Sequence, residues 1–182
     1  EHHLVDVLHY RFPREILGIV RSLFGEGCND LDIFDAGCGT GLCGIALHEV
    51  AYRMIGVDLS ESMIKKARER NIYDELIVGD LVSSVQDIDQ LFDLIVAGDV
   101  FVYVGDLDAV FSAFSKVLRQ NGVFIFTTES VPGDSFELRA TGRYVHSLDY
   151  IRGLSSRYGL TERLASEIVV RLAKRSFSKQ AL

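Results

Sequence analysis

Cysteine is scarce and unpatterned. Cys28, Cys38 and Cys43 are the chain's 3 cysteines, an odd number with no C-x-x-C pair. No histidine near them completes a metal-ligand spacing, so no metal site is expected, zinc included. Two of them fall in a glycine-rich stretch where small size accounts for them, and free thiols fit a reducing cytoplasm. Positive charge is short as well. A net charge of -7 argues against nucleic acid or an anionic membrane face as partner, and leaves a small neutral or basic substrate open. No apolar run is long enough to span a bilayer, because Asp99 interrupts the best candidate, Leu94 to Val104. With no signal peptide visible, a cytoplasmic location is expected. There is no internal repeat, low-complexity tract or linker. At 182 residues and 48% apolar, the chain is expected to be one ordered domain around a single core. It starts at Glu1 rather than Met, which suggests a fragment.

What the chain does have is a cluster of glycines at the end of an apolar run. In Leu31 to Gly44, LDIFDAGCGTGLCG, the run ends at Asp35 and glycines follow at 37, 39, 41 and 44. A helix-period pattern then takes over with Ile45, Ala46 and Leu47. Strand, glycine turn and helix start make a βα unit that brings backbone close to a nucleotide-like ligand. Glycine tolerates the positive φ of such a turn and puts no Cβ in the ligand's way. Gly39 to Gly44 matches G-x-G-x-x-G, the dinucleotide fingerprint, and an acid on the next strand, Asp58, serves that reading too. On it the chain would be an NAD(P)-binding oxidoreductase.

The alternation continues along the chain. Residues 3–9 pattern as a short helix with Leu4, Val5 and Leu8 on one side. Pro13 suits the first turn of a second helix reaching about Phe24, with Ile16, Leu17, Val20 and Leu23 as its buried stripe. Strands are expected at about 31–36, 53–58, 76–78, 92–97 and 123–128. Helices are expected at about 42–50, 61–70 with Ser60 as N-cap, 107–118, and 147–158 with Gly159 as its stop. Residues 164–172 pattern as a sixth strand and 177–182 as the start of a seventh. Such spacing implies right-handed βαβ crossovers and an α/β fold, an open parallel sheet covered by helices on both faces. Ligands of these sheets sit outside the carboxyl ends of the strands. Asp35, Asp58, Asp80 and Asp99 each fall at or near a strand end, which places four acids on one rim.

Longer motifs choose between the readings. Asp35 to Gly41 resembles the D-x-G-x-G-x-G loop of class I S-adenosylmethionine (SAM) methyltransferases. GCGTG, GVDLSESMIKKAR, IVGDL, FDLIVAGDVFVYVGDL and VLRQNGVFIFTTE follow that family's motif order from about residue 31 to 129. The flanks LVDVLHYRFP and GRYVHSLDYI resemble the predicted methyltransferases often fused to tetratricopeptide repeats. This likeness implies an N-terminal repeat domain in a full-length chain. The resemblance implies a Rossmann-like, mostly parallel sheet with an antiparallel last strand, in a single domain. Residues 1–30 would be a helical cap over the cofactor site, and 31–182 the core. It also implies roles for single residues. Asp35, Ala36, Gly37, Cys38, Gly39 and Gly41 would hold the amino acid portion of SAM, Asp35 orienting its ammonium group or ordering the loop. Asp58 would accept both ribose hydroxyls, and Leu59 and Met63 would flank the adenine. Asp80 would accept from the adenine N6 amine with the Leu81 backbone N–H beside it, and Gly79 and Gly98 would also belong to the cofactor site. Tyr10 and Arg11 would fold over as a lid, Arg11 meeting the cofactor's carboxylate. The dinucleotide reading gives Asp35 and the Gly79-Asp80 pair no role and lacks a second domain for its substrate.

The sulfonium methyl is already activated, so such an enzyme mainly aligns the acceptor and excludes water. A general base is needed only for an acceptor that is protonated at working pH. His146, the only histidine beyond residue 48, is the candidate, with an ordinary pKa of about 6.5. Asp99, Tyr103, Glu129 and Tyr144 lie near the same rim as candidate substrate contacts. GDVFVY after the fourth strand lacks the Asn/Asp-Pro-Pro-Tyr motif of amino-group nucleic-acid methyltransferases. A small-molecule or carrier-bound acceptor and O-methylation are therefore expected, with S-adenosylhomocysteine (SAH) as product. A protein or peptide side chain is the second choice of acceptor. A SAM-binding sensor or interaction domain without turnover is the rival from another class.

Overall fold

The structure, a computed structural model, describes residues 12–166. Helix α1 (Phe12–Phe24) opens it, with Pro13 in the first turn, where its missing N–H costs nothing. There follow β1 (Leu31–Ala36), α2 (Leu42–Leu47) running into a 3-10 turn at His48–Val50, β2 (Ala51–Asp58) and α3 (Glu61–Arg68). Next come β3 (Glu75–Val78), α4 (Leu81–Gln86), β4 (Phe92–Ala97), a 3-10 turn at Phe101–Tyr103 and α5 (Asp108–Val117). The last elements are β5 (Leu118–Phe126), β6 (Glu129–Ser130), β7 (Phe136–Leu138), β8 (Tyr144–His146) and α6 (Leu148–Arg157). Ser60 caps α3 as expected, its side chain accepting from the Met63 N–H, and Ser147 caps α6 through Tyr150.

Five strands form one sheet in the order β3-β2-β1-β4-β5, and every neighbouring pair is parallel. The chain runs outward from β1 to β3, returns across the sheet, and continues from β4 on the other side. Strand order therefore reverses between β1 and β4, where the two carboxyl ends leave a crevice. Both central strands are buried nearly end to end, as a sheet covered on two faces requires. Alternation sends their side chains into two cores. Ile33 and Leu94 meet Phe12, Ile16 and Val20 of α1 and Leu47 of α2 on one face. Phe34 and Ile95 meet Val85 of α4 and Phe111 and Phe114 of α5 on the other. Helix α1 thus lies in a covering layer, its Phe12 ring reaching the turn at Gly98.

Some expectations change. Leu23, expected in the buried stripe of the first helix, is exposed, because Phe12, Ile16 and Val20 already fill that contact. Helix α4 was not foreseen, nor was the second sheet, β6-β8-β7, which follows β5 in the chain and whose β8 touches the Phe101–Tyr103 turn. Residues 164–166, expected to open a sixth strand, have no regular structure. The rest of that strand, the seventh strand with the antiparallel pairing expected of it, and the helix at 3–9 lie outside the described residues.

Candidate active site

The glycine loop turns sharply at the carboxyl end of β1. Gly37, Gly39 and Gly41 all have positive φ, at 71°, 54° and 84°, a region L side chains rarely adopt. A Cβ on Gly37 would overlap the Val100 side chain, whereas among the described residues nothing approaches the corresponding point at Gly39. The loop is therefore packed on one side and open on the other. Its backbone is tied to β2: the N–H groups of Gly37 and Cys38 donate to the Val57 carbonyl at 2.8 and 2.9 Å. Arg70 holds the far side, its Nε donating to the Thr40 carbonyl.

Asp58 ends β2 beside this loop. One of its oxygens accepts from the Gly39 N–H at 2.9 Å and the other from the Ser60 N–H at 2.8 Å. The carboxylate is thus locked in place, and each oxygen keeps a second lone pair for a ligand. Leu59 and Met63 stand exposed beside it, which leaves two apolar side chains next to the carboxylate. Asp80 follows β3 and caps α4, its Oδ1 accepting from the N–H groups of Val82 and Ser83, while Leu81 is buried. Gly79 donates to the Asp58 carbonyl at 3.0 Å, joining the two strand ends.

Asp35 faces inward, beneath the loop. It is 1% exposed and accepts a 2.7 Å hydrogen bond from the Tyr73 hydroxyl. Burial is the main cause that pushes its pKa up to about 7, nearby Asp58 adding to the effect and the Tyr73 bond opposing it. The Tyr73 ring fills space left by Gly44 and Gly56, where a Cβ would overlap it. Asp35 is therefore held by Tyr73 beneath the loop rather than standing open to solvent. The thiols of Cys38 and Cys43 are buried, and burial raises both well above the usual range, which suits packing rather than chemistry.

Beyond β4 and β5 the structure gathers the expected acceptor-side residues around one that sequence reasoning missed, Arg143. Its Nη2 donates to Asp99 at 2.8 Å, its Nε to Glu129 at 2.6 Å, and its Nη1 to the Tyr103 hydroxyl at 3.4 Å. The guanidinium carbon also lies 5.4 Å from the Tyr103 ring centre. The Asp99 and Arg143 side chains are only 13% and 20% exposed, but Glu129 is 47% exposed. A half-exposed pair of that kind contributes about 0–1 kcal/mol. Asp99 itself sits at φ 59°, its N–H bonded to the Thr127 hydroxyl. Tyr144 packs its ring on Gly105 and Phe136 instead of pointing into open space.

His146 is the main correction. It is 1% exposed, with Nε2 donating to the Gly105 carbonyl at 2.8 Å and Nδ1 2.6 Å from the Thr128 hydroxyl. Burial lowers its pKa, so the neutral ring accepts from Thr128 at Nδ1. With both nitrogens engaged, the ring pins β8 to the segment after β4 and has no nitrogen left to serve as general base. Tyr10 and Arg11 lie outside the described residues. No group of three metal-binding side chains occurs among the described residues, and none of their helices is long and apolar enough to cross a membrane.

Comparison with known proteins matches residues 34–126 to the family described as "Methyltransferase domain". Over 96 residues the chain is 31% identical to malonyl-[acyl-carrier protein] O-methyltransferase of Hamiltonella defensa, 53% of this chain and 37% of that protein. Over 49 residues it is 43% identical to an 18S rRNA (guanine-N(7))-methyltransferase of Arabidopsis thaliana, 27% of this chain and 17% of that one. The chain thus spans well under half the length of these curated relatives. Among solved structures, a S-adenosylmethionine-dependent methyltransferase from Clostridium acetobutylicum is 28% identical with a TM-score of 0.57, over 70% of this chain and 55% of that one.

Proposed function

The chain belongs to the methyltransferase domain family, whose Rossmann-like fold and SAM cofactor it shares, and from that premise we propose O-methylation of a small or carrier-bound acceptor. The observation that carries the cofactor half is the open side of Gly39, set against a carboxylate, Asp58, already oriented by two backbone N–H groups. When bound, SAM supplies an activated methyl group. The residues that would hold it are the 37–41 loop around its amino acid portion and Asp58 at the ribose. Leu59 and Met63 would cover the adenine, whose edge would meet the second oxygen of Asp80. Asp99, Tyr103 and Arg143, at the ends of β4 and β8, would orient the acceptor across the crevice.

Two observations support an oxygen acceptor of modest size. His146 is engaged at both nitrogens, which favours an acceptor already ionised at neutral pH, such as a carboxylate. The relatives named as O-methyltransferases match over 96 residues, against 81 for one named as an RNA methyltransferase and 49 for the rRNA relative. The acid rim and the net charge of -7 favour an acceptor other than nucleic acid. Calorimetric titration with SAH, with NAD and NADP alongside, tests the cofactor half. Binding of SAH alone is expected, and binding of a nicotinamide cofactor would overturn it. Transfer of labelled methyl to carboxylate acceptors, against none to their esters, tests the other half; a protein that binds SAH and methylates nothing is a sensor.

A further inference from the structure

We infer that Glu129 occupies, with its own carboxylate, the place on Arg143 that the acceptor's carboxylate takes, so that Arg143 with Tyr103 is the acceptor anchor and Glu129 a displaceable latch. The inference rests on the methyltransferase reading above and assigns its acceptor site. Arg143 is fixed from behind. Its backbone carbonyl accepts from the Arg139 N–H at 2.9 Å in the β7–β8 turn, and the partly buried Asp99 holds Nη2. What remains are the Nε edge, taken by half-exposed Glu129, and Nη1, whose 3.4 Å contact to the Tyr103 hydroxyl is too long to satisfy it well.

The pair with Glu129 has no evident structural duty. β6 and β8 are already hydrogen-bonded neighbours at Glu129–Val145 and Ser130–His146, so a salt bridge between them adds no new connection. Its position is informative. Asp99 adjoins Val100, the side chain against which Gly37 of the cofactor loop packs, so the cluster borders the cofactor loop at the point where strand order reverses. An anion arriving there would add a third carboxylate to Asp99 and Glu129. Exchange avoids that repulsion: Glu129 moves to water and the cluster's charge is unchanged.

Transfer to a carboxylate balances without a base. A carboxylate oxygen forms the new O–C bond, the electron pair of the C–S bond remains on sulfur, and no proton moves. The products are a neutral methyl ester and the thioether SAH. The ester no longer competes for the guanidinium, so Glu129 returns and expels it.

The test follows the Nε–H resonance of Arg143 by NMR in SAH-saturated protein titrated with benzoate or methyl benzoate. Saturable movement with benzoate, and none with its ester, is expected. Glu129→Ala should tighten benzoate binding by about threefold or more by removing the competitor. Arg143→Lys, which keeps the charge but loses the planar fork, should weaken it by about tenfold or more, read by benzoate chemical shifts. SAH affinity should stay unchanged in both. Benzoate binding that is absent, unimproved by Glu129→Ala or untouched by Arg143→Lys overturns the inference while SAH binding persists. Failure to bind SAH overturns the underlying reading instead.

Discussion

Asp58 and Asp35 stand on consecutive parallel strands, yet they meet opposite environments, and their substitutions should report different things. Asp58 is half-buried at the loop, with both oxygens bonded to backbone. Asp58→Ala removes a charged acceptor worth about 1.5–3 kcal/mol, so SAH affinity should fall at least about tenfold in a folded variant by calorimetry. Asp35 is buried with a pKa of about 7, above its ordinary 3.8. The folded protein therefore holds a proton that the unfolded chain has released, and Asp35 contributes stability below pH 3.8 that is lost as pH rises through 7. Melting temperature measured from pH 5 to 8 should fall more in the native protein than in Asp35→Asn, which has no proton to lose.

At the scale of elements, the glycine loop rests on a contact between α2 and the segment before β3. Gly44 lies inside α2, where alanine would ordinarily stabilise by up to about 1 kcal/mol. Its Cβ would overlap the Tyr73 hydroxyl, and overpacking of that kind costs about 1–3 kcal/mol, so the clash wins. Gly44→Ala should lower the denaturation midpoint, and should cost less in a Tyr73→Phe background, as a double-mutant cycle would show.

Elements were legible where a local pattern was long enough. The apolar runs of β1 and β4 and the serine caps at 60 and 147 could be read directly. Helix α4, at 6 residues, is too short for a periodic stripe, and β6, β7 and β8 have 2 or 3 residues each. The site divides in the same way. Asp58 and the loop belong to a contiguous motif, whereas Tyr73 meets Asp35 across 38 positions and Arg143 meets Asp99 across 44. His146 shows the same limit in reverse. Its chemistry suggested a base, and only its bonds to Thr128 and Gly105 show that it is spoken for.

Over the whole molecule, the sheet carries acids at both ends and treats them differently. At the amino ends of β1 and β4, Asp32 and Asp93 share Arg119 at 2.6 and 2.5 Å. At the carboxyl ends, Asp58 is bonded to backbone N–H groups, and Asp99 meets a cation, Arg143. The two ends lie about 15 Å apart along the strands. Arg119→Gln should therefore lower the unfolding midpoint modestly while SAH affinity stays at the native value. A parallel loss of affinity would show that strain travels the length of the sheet.

The reversal of strand order between β1 and β4 has a consequence for inheritance. Everything proposed to hold the cofactor from the loop to Asp80 precedes residue 87, and everything proposed to anchor the acceptor follows residue 98. The two halves meet across the sheet's central seam and in the cores on its two faces, so a crossover in the segment between α4 and β4 would exchange one while leaving each contiguous, provided those core contacts are matched. Chimeras joined there should keep their cofactor and trade their clientele. Lineages with this fold can then diversify what they modify by recombination as well as by point mutation.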